Sequence, residues 1–139
     1  MPTDLDLTPF VRALAALDRG LLRWTGSPGD EELRDACIQR FEFTFELAWK
    51  MLKRRLERDL PNAAELDGMS YRALIRSGVE AGLLPAPEPW FVYRDKRNIT
   101  SHTYDAAKAV EVAEVIPGFF HDARALLAAL QQRAAEDAA

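Results

Sequence analysis

The sequence predicts an all-α protein, an antiparallel up-and-down helical bundle of about five helices. Three observations carry this. Apolar residues recur every three or four positions through most of the chain, the spacing of one helix face. Residues that start and stop helices fall at the ends of those segments. No segment shows the apolar–polar alternation of a half-buried strand, and the short connections favour antiparallel neighbours.

Thr8 followed by Pro9 reads as an N-cap with proline at the first helical position. Phe10, Leu14, Leu17 and Leu21 then repeat at helix spacing, and Gly26-Ser27-Pro28-Gly29 ends the helix, which should stop near Trp24. Asp30 caps the second and longest helix, with Glu31 and Glu32 at its positive end. That helix runs without Gly or Pro to about Leu60, roughly 45 Å at 1.5 Å per residue. Leu33, Cys37, Phe41, Phe45, Leu52 and Leu56 form its apolar stripe, and Phe43 and Trp49 widen it. Glu42, Glu46 and Lys50 sit four apart, either as a ladder of ion pairs or with the carboxylates facing a polar pocket. Its last third carries Lys50, Lys53, Arg54, Arg55 and Arg58. These cations suit the negative end of a helix in a solvated face; the alternative is a basic wall beside an RNA or nucleotide site.

Pro61 stops this helix, and residues 63–68 form a connection. Ser70 caps a short third helix through Leu74, Ile75, Val79 and Leu83, with Gly82 near its end. Pro85-Ala86-Pro87-Glu88-Pro89 is a stiff loop, after which a fourth helix starts at Trp90 and reaches Arg97. Arg94 and Arg97 are three apart and share a face. Asp105 caps the final helix, which Pro117-Gly118 should kink or break. Phe119, Phe120, Ala123, Leu126, Leu127 and Leu130 resume its apolar face, and residues 131–139 should fray.

The chain of 139 residues is expected to be a single domain, 1–139, long enough to bury a core. A net charge of −4 excludes a generally basic surface but not a local basic site. The lone cysteine, Cys37, has no partner for an internal disulfide and falls on an apolar helix face, so it reads as buried filler. No apolar run approaches the ~20 residues that span a membrane, and Met1-Pro2-Thr3-Asp4 lacks the start of a signal peptide. A cytoplasmic protein without membrane contact is expected. There is no zinc-type Cys/His spacing and no Gly-rich phosphate loop, so neither a metal nor another cofactor is expected.

The chemistry concentrates in Arg97-Asn98-Ile99-Thr100-Ser101-His102-Thr103-Tyr104. One of only two histidines lies here; the other, His121, has no motif around it and reads as structural. A guanidinium can hold a phosphate through two parallel donors, and an imidazole can move a proton near neutral pH. Together they suffice to cut a phosphodiester without a metal. Arg94, Asn98 and Ser101 could support the phosphate, Ser101 more readily by capping a helix end. Tyr104, read from its chemistry alone, packs its ring at a subunit seam with its hydroxyl in water. The bland account of the whole cluster is that its polar side chains only cap helices in a plain dimerisation module.

Two blocks carry a family resemblance. One runs from Ile38-Gln39-Arg40-Phe41-Glu42-Phe43-Thr44-Phe45 through Glu46-Leu47-Ala48-Trp49-Lys50, with Leu52 after it; the other is Arg97 to Asp105. Both resemble the nucleotidyltransferase substrate-binding proteins, a branch of the HEPN superfamily that includes the HepT-type toxins. The resemblance spans essentially the whole chain. It implies a helical homodimer whose cognate partner is a minimal nucleotidyltransferase. It also implies a toxin that cleaves RNA without a metal, through a composite site made by two copies of Arg-x4-His. By that resemblance Arg97 and His102 are the catalytic pair, and Tyr104 of Arg-x4-His-x-Tyr accepts the adenylyl groups that silence the toxin. The alternative within the family is a non-catalytic subunit that presents a substrate, or the tyrosine, to the nucleotidyltransferase. For the dimer face, the aromatic residues Phe41, Phe43, Trp49, Trp90 and Phe91 are the expected anchors.

Overall fold

The computed structural model describes residues 5–62 and 64–139; the expectations for residues 1–4 and for Ala63 lie outside them. The described chain is helical throughout: α1 (Thr8–Gly26), α2 (Glu31–Asp59), the single turn α3 (Ala64–Asp67), α4 (Tyr71–Glu80), α5 (Glu88–Asn98) and α6 (Ala106–Ala138). A short 3-10 turn, Thr100–His102, joins α5 to α6.

Local chemistry sets the helix starts. The Asp30 carboxylate accepts from the N–H groups of Glu32 and Leu33 at 2.9 and 3.1 Å. Ser70 caps α4 through Ala73 N–H at 3.1 Å, and Asp105 caps α6 through Ala107 N–H at 2.9 Å. The start of α1 differs from expectation. Thr8 is already helical, and the Asp6 carboxylate, two residues upstream, accepts from its N–H at 3.0 Å. A carboxylate just upstream takes the role expected of the Thr8 hydroxyl.

The legs of the bundle alternate in direction. Arg40 donates to the Ala16 carbonyl at 2.7 Å, and Thr44 lies opposite Ala13, so α1 and α2 run antiparallel. They approach closely because Gly20 lacks a side chain; a Cβ there would sit 3.2 Å from Cys37 Sγ. The Lys96–Glu111 and Tyr93–Asp122 pairs make α5 antiparallel to α6. α2 and α6 run in the same direction, as shown by Phe41 against Phe119 at one level and Arg55 against Asp137 at another.

The core fills the space between α1, α2 and α6, with α4 and α5 closing its side. Phe119 is its hub, edge-on to Phe41 at 4.9 Å, Tyr93 at 5.2 Å and Trp90 at 5.9 Å between ring centres. Cys37 is buried filler as expected, and desolvation raises its thiol pKa, which disfavours the reactive thiolate.

Tertiary packing bears on four expectations. Of the kink or break expected at Pro117, the break does not occur, and α6 continues through it. Proline inside a helix costs about 3 kcal/mol, and the fully buried Ile116 and Phe119 on either side offset that strain through packing. The expected fraying of residues 131–139 does not occur, since α6 continues to Ala138 and its last turns are anchored. Arg133 donates to the Ala81 carbonyl, and Asp137 accepts from Arg55 at 2.7 Å. The same contact revises the basic end of α2. Arg55 is only 5% exposed and bridges Asp59 and Asp137, and Arg58 lies 3.6 Å from Asp137, so these two are clamps between helices and not an open basic wall. Finally, Phe41 and Trp90 belong to the core, Trp49 and Phe91 are half-buried, and of the five expected interface anchors only Phe43, 63% exposed, faces solvent. His121, read as structural, is exposed on α6 and takes no part in the core.

Two outcomes follow from this packing. Phe119→Ala should lower stability by about 3–5 kcal/mol in urea unfolding, the usual cost of emptying a buried aromatic site. The Arg55 hydrogen bond holds the Asp137 carboxyl below its ordinary value of 3.8. Its contribution is therefore complete above that ordinary value and is lost as the pH falls through the depressed one. Melting temperatures of wild type and Asp137→Asn should differ at pH 7, keep that difference down to about pH 4, and converge in stronger acid.

Candidate functional site

α5 delivers the polar cluster. Pro87 and Pro89 set its first turn, and Trp90 and Tyr93 bury one of its faces against Phe119. Tyr93 also donates a very short hydrogen bond to Asp122 of α6, and burial, reinforced by this carboxylate, raises its phenol pKa. With α5 fixed on that side, Arg94, Arg97 and Asn98 face a cleft of about 350 Å³ that runs between α2, α4 and α5. Glu46, Trp49, Lys53 and Tyr71 contribute its other polar and aromatic walls.

Arg97 is held from two directions. Its Nε lies 3.2 Å from Glu46 Oε1, near enough for an ion pair but out of line for a hydrogen bond. One terminal nitrogen lies 3.5 Å from Glu42, and the other donates weakly to the Thr100 hydroxyl at 3.4 Å. These contacts are long, and the guanidinium keeps a solvent-facing side. Glu46 in turn accepts from the Trp49 indole at 3.2 Å. The carboxylates of α2 thus turn towards Arg97 and not into a ladder with Lys50, whose ammonium lies over the Trp49 ring. Of the two, Glu46 lines the cleft, as the polar-pocket reading expects, and Glu42 meets Arg97 outside its lining.

Beyond Asn98 the chain tightens into the 3-10 turn. Thr100 is buried and donates to the Arg97 carbonyl at 2.8 Å, while Thr103 donates to the Thr100 carbonyl at 3.1 Å. The backbone closes the turn through His102 N–H to Ile99 and Asp105 N–H to His102, at 3.0 and 3.1 Å. Ser101 is exposed and its side chain caps nothing; the threonines perform the capping expected of it. His102 and Tyr104 project from this turn as an edge-on pair with ring centres 6.1 Å apart, and Tyr104 is 86% exposed.

The structure therefore groups the expected residues in two sets. Arg94, Arg97 and Asn98 line the cleft, whereas Ser101, His102 and Tyr104 stand on the exposed turn beside it. No hydrogen bond joins Arg97 to His102 among the described residues; the common scaffold is the Thr100 turn. Among the described residues no group of side chains is arranged to hold a metal ion. Sequence reading missed Thr100, which is buried where the turn packs against α2 and α6, and it missed Tyr71, which comes to the cleft from α4. Of the basic stretch weighed as a wall beside an RNA or nucleotide site, Lys53 does line the cleft.

The comparisons agree with this architecture. The family model described as "nucleotidyltransferase substrate binding protein like" matches residues 5–132. A curated Haemophilus influenzae protein named "Probable ribonuclease HepT" is 38% identical over 116 residues, covering 84% of this chain and 80% of that protein. A solved structure from the same organism, described as the fold of a substrate-binding domain of a nucleotidyltransferase, superposes with a TM-score of 0.86 at 32% identity, over 91% of this chain and 99% of that one. A crystal structure from Thermus thermophilus gives 0.71 at 33% identity, over 87% and 98%. The matched span takes in all of α1 to α5, the Thr100 turn and most of α6, and on these grounds the chain belongs to the nucleotidyltransferase substrate-binding protein family.

Proposed function

We propose that this protein is a HEPN-type partner of a minimal nucleotidyltransferase, and that it is a toxin with metal-independent endoribonuclease activity silenced by adenylylation. The observation that carries this reading is the junction after α5. It presents a restrained but solvent-facing guanidinium, Arg97, beside an exposed imidazole, His102, on a turn locked by Thr100. The relative named as a ribonuclease supports the same activity.

In the proposed reaction an imidazole takes the proton from a ribose 2′-hydroxyl, and that oxygen attacks the adjacent phosphorus. A 2′,3′-cyclic phosphate forms as the P–O5′ bond breaks, and the departing 5′-oxygen takes a proton from a second imidazolium. Arg97 stabilises the charge that builds on the phosphorane. The nucleophile belongs to the substrate, so no metal-bound water is required. One chain carries one imidazole at this site, and two proton-transfer groups are needed, so the working unit is a homodimer that brings two Arg97–His102 turns together. Exposed Phe43 and Val92 offer apolar surface for such an interface.

Tyr104 is the proposed acceptor of the adenylyl group. Its 86% exposure leaves the hydroxyl open to a second enzyme, and its contact with the His102 ring puts any bulky phosphoester next to the catalytic imidazole. Arg94 and Asn98 hold the substrate phosphate with Arg97 in the cleft, while Ser101 is free to reach it from the turn. No helix among the described residues is long and apolar enough to cross a membrane, in keeping with RNA and a nucleotidyltransferase as partners in the cytoplasm.

Expressed alone, the wild-type protein should cut RNA in EDTA and arrest growth. His102→Ala and Arg97→Ala should each abolish both effects, with their circular dichroism unchanged. Tyr104→Phe should remain a nuclease yet escape silencing by the nucleotidyltransferase and ATP. If wild type and His102→Ala are equally inert towards RNA while both bind the nucleotidyltransferase, the protein is the non-catalytic subunit instead.

A further inference from the structure

Outside the α5 junction, three guanidinium groups on α4 and α5 form an organised surface. Arg72 and Arg76 both lie over the Phe91 ring, at 4.4 and 5.4 Å from its centre, and Arg94 lies over Tyr71 at 4.6 Å. All three are exposed. None has a carboxylate within ion-pair distance among the described residues, although the chain has 22 acidic residues against 18 basic ones. On the same helix as Arg94, by contrast, Lys96 and Arg97 are paired with carboxylates. A chain with excess acid that keeps three neighbouring arginines unpaired, and orders them on rings, holds them ready for an external anion.

This surface is continuous with the cleft. A shallow groove of about 250 Å³ is lined by Arg72, Phe91 and Asp95 together with Tyr71, Arg94 and Asn98, and the last three also line the Arg97 cleft. Asp95 is the one carboxylate in the groove. We propose that the α4–α5 groove is the path by which a single RNA strand reaches Arg97, its phosphates held by Arg72, Arg76 and Arg94. The proposal rests on RNA as the substrate. It adds where the strand lies and which residues outside the motif set its affinity.

The chemistry of the groove suits a nucleic-acid strand better than a protein partner. A guanidinium plane both donates to phosphates and stacks under unpaired bases. A protein interface is normally centred on an apolar anchor, and none of the strongly exposed apolar residues, Val11, Leu22, Phe43, Leu60, Val92, Tyr104 and Val110, lines the groove. Single-strand sites also combine a basic groove with planar stacking groups, which is the combination found here.

The test separates binding from cleavage. In a His102→Ala background, a fluorescein-labelled oligouridine of about twelve nucleotides, within the usual span of a single-strand site, is titrated by anisotropy at several salt concentrations. Arg72→Gln/Arg76→Gln/Arg94→Gln should weaken binding at least about ten-fold and flatten the log–log salt dependence by about 2, three contacts at roughly 0.7 each. The charge-matched Arg19→Gln/Arg23→Gln/Arg124→Gln should leave both values near those of the parent. Replacement of the same three groove arginines by lysine should restore the salt slope, which guards against loss of fold as the cause. If the groove variant binds like the charge-matched control, the path is wrong even if the nuclease is real. If it keeps RNA but loses the nucleotidyltransferase, the groove docks a protein and the proposal fails. Arginine-dependent binding by a wild-type protein that cuts nothing would sustain the path and sink only the catalytic reading.

Discussion

Phe119 touches Phe41 and Phe45 of α2 and Trp90 and Tyr93 of α5 from its own place on α6, at ring-centre distances of 4.9 to 6.2 Å. Edge-to-face contacts of this kind add about 0.5–1.5 kcal/mol each beyond simple burial, and they also fix orientation. α5 is only eleven residues long and would be marginal alone. Its position depends on this cluster and on the Tyr93–Asp122 and Lys96–Glu111 contacts to α6. Because Trp90 and Tyr93 are pinned inward, Arg94 and Arg97 face the cleft, and the turn that follows α5 projects His102 and Tyr104 away from the core.

The electrostatics of the site show a balance of opposite demands. A partly buried guanidinium without counter-charge is costly, so Glu42 and Glu46 accompany Arg97. In the proposed reaction a phosphate must nevertheless compete for the same group. Both terminal-nitrogen contacts of Arg97 are long, 3.4 and 3.5 Å, whereas the structural arginine Arg55 is held at 2.7 and 2.8 Å. Arg55 is nearly inaccessible, and Arg97 keeps a wet side. The same residue type serves as a clamp at one end of α2 and as an available cation near its middle, and the difference lies in burial and in contact geometry.

Much of the fold is legible in the sequence because helix starts are local events. Asp30, Ser70 and Asp105 bond N–H groups two or three residues away, so the pattern that announces the helix also builds its cap. The failures share another cause. Arg55 meets Asp137 across 82 positions, and nothing in either neighbourhood announces the contact that orders the end of α6. Phe41 and Trp90 read as interface anchors only so long as the fold does not put Phe119 between them. In the site, the spacing of Arg97, His102 and Tyr104 places all three at one helix end. The pairing of Arg72 and Arg76 with Phe91 joins two helices, and their i, i+4 spacing alone resembles any exposed helix face.

The central claim is that Arg97 and His102 act on RNA through its own 2′-hydroxyl. The end groups of the products test this most directly. RNA cut by the purified protein in EDTA should carry 2′,3′-cyclic phosphate on the upstream fragment and a free 5′-hydroxyl on the downstream one, with no such ends from His102→Ala. Fragments that end in a 3′-hydroxyl and a 5′-phosphate, or cleavage that appears only when a divalent metal is added, would contradict the account.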